Sequence, residues 1–256
     1  MKNIYLDIKK LKKEINLGFF TSQGGISKSN YKSLNCNKNN NDDNKKNVRE
    51  NLKIAKEKLN LKNKRLKLIN QIHSNKIIKI NNKNLNNYHY GDGLVTSDRE
   101  IALGILTADC APIFIYDIKK KLICCLHSGW KGALNNIVSK GIKIFKIKKI
   151  KNNNIVVVVG PCLAFNNFEV DKNFKNRFVK KNHKYIKFFK TKNENKDLFN
   201  LRGLINYQIM TEKIKNVYNI SKDTYKNSDI FFSNRRSKHQ KNGQTGRMIN
   251  IISFKT

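Results

Sequence analysis

The chain is poor in several things at once. Five cysteines occur in 256 residues, an odd number, with Cys124 and Cys125 adjacent. A chain so long and so poor in cysteine is not expected to rest on a disulfide framework. No stretch approaches 18 consecutive apolar residues, so no membrane-spanning helix is expected. The opening MKNIYLDIKKLKKEINLGFF has no seven-residue apolar core followed by a small-residue cleavage site. It therefore reads as lacking a signal peptide, and a cytoplasmic location is expected. Proline occurs twice, at Pro112 and Pro161, and each marks a break in an apolar run. Acid is scarce as well: 18 Asp and Glu stand against 53 Lys and Arg, for a formal charge of +35.

That charge invites a nucleic-acid reading, which its composition argues against. Only eight of the basic residues are arginine, and the lysines are spread among Asn and Ile along the whole chain. A surface selected to track phosphates would be richer in Arg and interleaved with aromatics. A weak, salt-sensitive affinity for polyanions follows from the charge, and no specific nucleic-acid partner is expected.

What is present is an organised core. Hydrophobic residues make up 39% of the chain and come in runs, and the length suffices to bury a sizeable interior. Residues 37–47 are polar and of low complexity, and read as an exposed connection. Residues 48–60 carry Val48, Leu52, Ala55 and Leu59 at helical spacing. Strand-like runs follow at 66–80, 90–97, 101–117, 121–129 and 154–162, the last a β-branched run of the kind found inside a sheet. Helices are expected at 132–146, 168–181 and 199–214. The chain should end, over 229–254, in strands around a basic loop. No internal repeat or domain boundary is evident. The fold class expected is α/β: a single-domain layered α/β sandwich, residues 1–256, around a mixed central sheet.

His73, Cys110 and His127 each sit where an apolar run gives way to a turn. Strand ends gather functional side chains because a rigid backbone there faces a cleft. Two imidazoles and a thiolate make a sound zinc set with a fourth position open. The separations match no short zinc signature, so three readings stand: core packing, a Cys110–His127 nucleophile–base dyad, or one metal site. Asp109, beside Cys110, is either an orienting or acid–base carboxylate or a turn cap. Arg235, Arg236 and Arg247 stand out among so few arginines and could form a fork for phosphate or carboxylate, or a basic surface loop. Cys162 ends a strand at a Gly-Pro turn and either packs in the core, the commoner role for such a residue, or lines the same cleft. Gly24-Gly25 and Gly91-Asp92-Gly93 read as turns, without a phosphate-loop or dinucleotide fingerprint.

Taken together, these stretches resemble one family: the multicopper polyphenol oxidase or laccase-domain family, now read as purine nucleoside phosphorylase and also called peptidoglycan editing factor. The matching pieces are GFFTSQGGIS with SLN (18–35), QIHS (71–74), GDGLVTS (91–97), LTADCAPIFIYD (106–117), HSGWKGALNNI (127–137), VGPCL with FEV (159–170), NLRGLINYQI (200–209) and FFSNRR with TGRMINII (231–252). They run in family order over nearly the whole chain. The resemblance implies zinc, less so copper, held by His73, Cys110 and His127. It implies phosphorolysis of adenosine, inosine, guanosine and S-methyl-5'-thioadenosine, with an adenosine deaminase side activity. Purine nucleosides and phosphate would then be the partners. On that footing Asp109 is the candidate proton shuttle, Cys110 is catalytic as well as a ligand, and Arg236 and Arg247 are the candidate phosphate ligands. The family's other name leaves a second implied activity, a cytosolic hydrolase editing a peptidoglycan precursor with the same metal or with Cys110 and His127. A copper polyphenol oxidase is a third. Two departures from the family pattern, DTYKNSD before FFSNRR and a Phe in FNNFEV where Tyr is common, bear on substrate preference. Nothing in the sequence sets the oligomeric state.

Overall fold

A computed structural model describes residues 5–6, 15–38, 43–119, 121–241 and 243–255. Most of the N-terminal stretch read for a signal peptide, and residues 39–42 of the polar connection, lie outside the described residues. In chain order the first strands are β1 (Tyr5–Leu6), β2 (Ile15–Phe20), β3 (Arg65–Leu68), β4 (Asn70–Gln71), β5 (Ile77–Lys79), β6 (Tyr90–Gly91), β7 (Gly93–Thr96) and β8 (Ile101–Thr107). They are followed by β9 (Ala111–Asp117), β10 (Ile123–Ser128), β11 (Ile155–Val159), β12 (Glu169–Asp171), β13 (Phe189–Thr191), β14 (Lys196–Phe199), β15 (Asn216–Asn219) and β16 (Met248–Phe254). The helices are α1 (Lys45–Lys58), α2 (Trp130–Leu134), α3 (Ile137–Ile147), α4 (Lys172–Lys181), α5 (Leu201–Thr211) and α6 (Asn234–His239).

The expected layered, mixed α/β sandwich is present, with one layer more than the sequence suggested. A six-stranded mixed sheet runs β15-β11-β9-β10-β7-β5, and a five-stranded mixed sheet runs β1-β2-β16-β8-β3. Alternation along the strands shows why the two sheets stack. In β9, Phe114 and Tyr116 face one way and Ile113 and Ile115 the other. The first pair meets Ile15, Leu17 and Phe19 of β2, Leu103 and Ile105 of β8, and Ile252 and Phe254 of β16, forming a dry core between the sheets. The rings of Phe19 and Phe114 stack across that gap at 4.4 Å, a contact that adds about 1 kcal/mol beyond the area it buries. The second pair meets α2, α3 and α5 through Ile137, Val138, Ile142, Phe145, Leu204 and Ile205. On the outer face of the five-stranded sheet, Ala102, Ile249 and Ile251 receive Val48, Leu52 and Ala55 of α1. The order of layers is therefore helix, sheet, sheet, helices. A strand buried on both faces reads as a continuous apolar run, which is why one sheet was expected where two are stacked.

Three elements differ from their sequence expectations for local reasons. The 132–146 helix is two, α2 and α3, because Asn136 adopts a left-handed conformation (φ 57°) that Asn tolerates better than most residues. Its side chain accepts a hydrogen bond from Tyr185 Oη at 2.9 Å. Residues 169–171, expected as helix, pair antiparallel with β14, and the helix begins only at Lys172. The basic loop contains α6, whose N-cap Ser233 accepts from Arg236 N–H at 3.1 Å. Among the described residues no helix is long and apolar enough to cross a membrane.

Candidate metal centre

Cys110 lies where the chain changes sheets. β8 belongs to the five-stranded sheet and β9 to the six-stranded sheet, and only residues 108–110 connect them. So short a crossing bends the backbone sharply: Asp109 has φ 88°, a conformation L residues seldom adopt and one that costs about 1–3 kcal/mol. Cys110 leaves this turn at the end of the sheet. β10 pairs with β9 so that His127 faces Pro112 and Ser128 faces Ala111, which brings His127 and Gly129 beside Cys110. A Cβ on Gly129 would lie 2.8 Å from Cys110 Sγ and 3.3 Å from His73 Cδ2, so only glycine allows that approach. His73 arrives on the loop after β4, again with positive φ (56°).

The loop carrying His73 is held at both ends by side chains that imitate backbone. Gln71 accepts from Leu106 N–H at 2.7 Å and donates to the Leu106 carbonyl at 2.8 Å, extending the β8 ladder. Beyond it, Asp92, buried completely, draws five donors onto one carboxylate. Oδ1 accepts from His73 N–H at 3.0 Å and from His127 Nδ1 at 2.8 Å. Oδ2 accepts from Ile72 N–H at 3.3 Å, from Ser74 Oγ at 2.8 Å and from Ser74 N–H. Burial pushes this carboxyl up, but the hydrogen bonds from His127 and Ser74 outweigh it and hold it below the usual carboxylate range. Because Nδ1 of His127 is committed to Asp92, Nε2 is the nitrogen turned to Cys110.

His73, Cys110 and His127 present one donor atom each, all within 4.8 Å of one another. The two imidazoles meet edge to face at 4.9 Å. Burial would raise the Cys110 thiol, but the charge of His127 and hydrogen bonds from His127 and His73 lower it to about 6. Burial would lower His127, but the Cys110 charge and the Asp92 hydrogen bond raise it to about 9. The metal-free pair is therefore thiolate and imidazolium near neutrality. A tetrahedral zinc with bonds of about 2.0–2.3 Å would set its donors roughly 3.5 Å apart, so a small inward movement closes the set on an ion. His127 is buried, Cys110 half-buried and His73 exposed. The set is therefore open to solvent on the His73 side. Among the described residues no other group of three or more His, Cys, Asp or Glu is placed to hold a metal.

The other residues singled out by sequence fall around this set in distinct environments. Both oxygens of Asp109, which is 8% exposed, are engaged: Oδ1 accepts from Thr224 Oγ1 at 2.7 Å and Oδ2 from Arg235 N–H at 2.6 Å. The sequence pairs Arg236 with Arg247, and the structure separates them. Arg236 donates from Nη1 to the carbonyls of Thr224 (2.8 Å) and Tyr225 (2.7 Å) and from Nη2 to that of Phe231; it staples the chain. The Arg247 guanidinium donates from Nη1, to the carbonyls of Thr245 (2.7 Å) and Gly246 (3.0 Å). Among the described residues its Nε and Nη2 have no protein partner. Burial lowers its pKa from the usual value, and the negative charges of Cys110 and Asp109 oppose that shift. Arg235 rests over the Phe168 ring at 5.4 Å. Cys162 is in the helix-side core, where burial pushes its thiol up to about 11 and Arg202 Nη2 approaches it at 3.2 Å. Sequence reasoning missed Asp92, Gln71 and Thr224. The acid between two glycines in Gly91-Asp92-Gly93 was the available signal for Asp92; Gln71 and Thr224 carry none.

Comparison with known proteins agrees with this architecture. A Rickettsia prowazekii protein named purine nucleoside phosphorylase is 30% identical over 189 residues, 73% of this chain and 78% of its own. A Campylobacter jejuni protein of the same name is 30% identical over 189 residues, 73% of this chain and 76% of its own. The crystal structure of a Neisseria meningitidis protein of the DUF152 family superposes with a TM-score of 0.85 at 25% identity, covering 95% of this chain and 96% of that one. Bacillus licheniformis YfiH gives a TM-score of 0.86 at 25% identity, covering 94% and 93%. The family described as multi-copper polyphenol oxidoreductase laccase matches residues 16–255, and the chain belongs to that family.

Proposed function

We propose that the chain is a zinc-dependent purine nucleoside phosphorylase acting on adenosine, inosine, guanosine and S-methyl-5'-thioadenosine, with adenosine deaminase activity. The observation that carries this reading is the His73–Cys110–His127 set, open to solvent on the His73 side, in a chain whose relatives bear the phosphorylase name. Zinc held there would supply a Lewis acid and bring the pKa of a water to about 7. The protein's own groups do the rest. Asp92 holds His127 in one tautomer and the His73 loop in place. In phosphorolysis, phosphate approaches the ribose C1′ as the purine leaves, so the chain must hold an anion beside the reacting centre. Arg247, whose Nε and Nη2 have no partner among the described residues and which has Cys110 for a neighbour, takes that role. Arg236 does not, since three carbonyls already occupy it.

The test is release of adenine and ribose 1-phosphate from adenosine, followed by chromatography with and without phosphate. Phosphate-dependent adenine is expected, with inosine forming more slowly in either condition. Adenine release that ignores phosphate would refute phosphorolysis.

One observation favours a second reading. The metal-free Cys110–His127 pair is already thiolate and imidazolium, the resting state of a nucleophile and its base. On that reading the chain hydrolyses a cell-wall precursor without metal. Activity that survives complete removal of zinc and is lost on alkylation of Cys110 would favour it.

A further inference from the structure

The sequence leaves Asp109 an orienting or acid–base carboxylate or a turn cap, and the family resemblance makes it the candidate proton shuttle; its surroundings are those of an anchor. The turn it occupies is gripped by three segments distant in sequence. Leu163 N–H donates to the Asp109 carbonyl at 2.9 Å. Thr224, fully buried, donates its hydroxyl to Oδ1 at 2.7 Å. Arg235 N–H, in the first turn of α6, donates to Oδ2 at 2.6 Å. The first two segments are themselves joined. Thr224 N–H donates to the Cys162 carbonyl at 3.3 Å, and the Asp223 carboxylate accepts from the backbone N–H of Ala164 at 3.1 Å. Each oxygen of this carboxylate is held by one donor from a different segment, and the side chain is 8% exposed, so little of it is open to a substrate. It does have what a left-handed turn requires, a set of contacts that over-determine a conformation the backbone would otherwise leave.

We propose that Asp109 is a positioning residue for Cys110: its carboxylate, clamped between Thr224 and the first turn of α6, holds the sheet-to-sheet turn at positive φ and so aims the thiolate at His73 and His127. The same clamp fixes α6, and with it the chain leading to Arg247, relative to the ligand set. This rests on the metal reading of the site but not on the phosphorolysis reading, because its first readout is metal affinity.

Asparagine and alanine separate a clamp from a shuttle. In Asp109→Asn the amide oxygen can still accept from Arg235 N–H, while the amide nitrogen donates to a rotated Thr224 hydroxyl. The clamp survives and the titratable proton is gone. In Asp109→Ala both contacts go. Zinc affinity of the metal-stripped full chain, measured by competition with a chromophoric chelator, should stay within threefold of wild type in Asp109→Asn. It should fall 10- to 100-fold in Asp109→Ala, the range typical of a lost outer-shell support, and by less in Thr224→Val. The pH profile of kcat should be the same for wild type and Asp109→Asn. Asp109→Ala or Thr224→Val need only fold, checked by circular dichroism; if Asp109→Ala does not, Thr224→Val carries the comparison. Wild-type zinc affinity in the folded clamp variants would overturn the proposal. So would an Asp109→Asn as inactive as Asp109→Ala with zinc still bound, which would return the proton to the chemistry. Zinc binding with no phosphorolysis would leave the clamp standing and remove only the purine reading. No zinc binding by the wild-type chain would remove both.

Discussion

Asp92→Asn should damage the centre more than any other isosteric change outside the ligands. The carboxylate accepts five hydrogen bonds, two on Oδ1 and three on Oδ2. An amide keeps one acceptor oxygen and replaces the other with a donor. With the amide oxygen at the Oδ1 position, His73 N–H and His127 Nδ1 are kept. The Ser74 hydroxyl can then rotate to accept, but two backbone N–H groups, of Ile72 and Ser74, face a donor. With the amide reversed, His127 loses its anchor instead. Either way at least two donors are stranded. At about 1–3 kcal/mol for each buried one, discounted because Ile72 and Ser74 are partly accessible, the loss of stability is about 2–4 kcal/mol. For a chain of this length that lowers Tm by roughly 5–12 °C. Zinc affinity should fall about 10- to 100-fold, as for other outer-shell partners of a ligating histidine. Chelator competition and thermal melting of the same preparations read both quantities. An Asp92→Asn chain with zinc affinity within twofold of wild type and an unchanged Tm would refute the role given to this carboxylate.

Other consequences follow from the same geometry. Zinc needs Cys110 as thiolate and His127 as neutral imidazole, while the metal-free pair holds Cys110 near 6 and His127 near 9. Between those values binding releases the His127 proton, so log K should rise by at least about one per pH unit. Below about pH 6 a second proton, from Cys110, should steepen the slope, and above about 9 it should flatten; isothermal titration in buffers of different ionisation enthalpy counts the protons. Gly129→Ala places a methyl 2.8 Å from Cys110 Sγ and should reduce zinc content severely while the circular dichroism spectrum stays native. The two arginines should separate cleanly. Arg236→Lys gives up the geometry of three carbonyl contacts and should lower Tm by several degrees, a loss of about 2 kcal/mol. Arg247→Lys gives up two carbonyl contacts and should lower Tm less than Arg236→Lys does, but it should raise the KM for phosphate, read by steady-state kinetics, at least tenfold.

The ligand set was legible because each of its members interrupts an apolar run, and interruption survives in one dimension. Asp92 was not, since its function depends on the fold bringing residue 92 against residues 72–74 and 127. In the sequence it is an acid between two glycines, with the look of a turn. Arg236 and Arg247 look alike in sequence, and only the fold shows that Arg236 is held by the carbonyls of Thr224, Tyr225 and Phe231 through both Nη atoms while the Arg247 guanidinium donates from Nη1 alone. The second sheet was hidden for a related reason. β9 and β10 are buried on both faces, so their pattern shows burial without showing what covers each side. The break between α2 and α3 turns on one Asn in a left-handed conformation within an otherwise helical pattern.

The most direct test of the account is elemental analysis of the purified chain beside His73→Ala, Cys110→Ala and His127→Ala, each assayed for phosphate-dependent cleavage of adenosine. The account predicts about one zinc per chain in the wild type, with metal and activity lost together in all three variants. A chain that purifies without metal and still cleaves adenosine would contradict it.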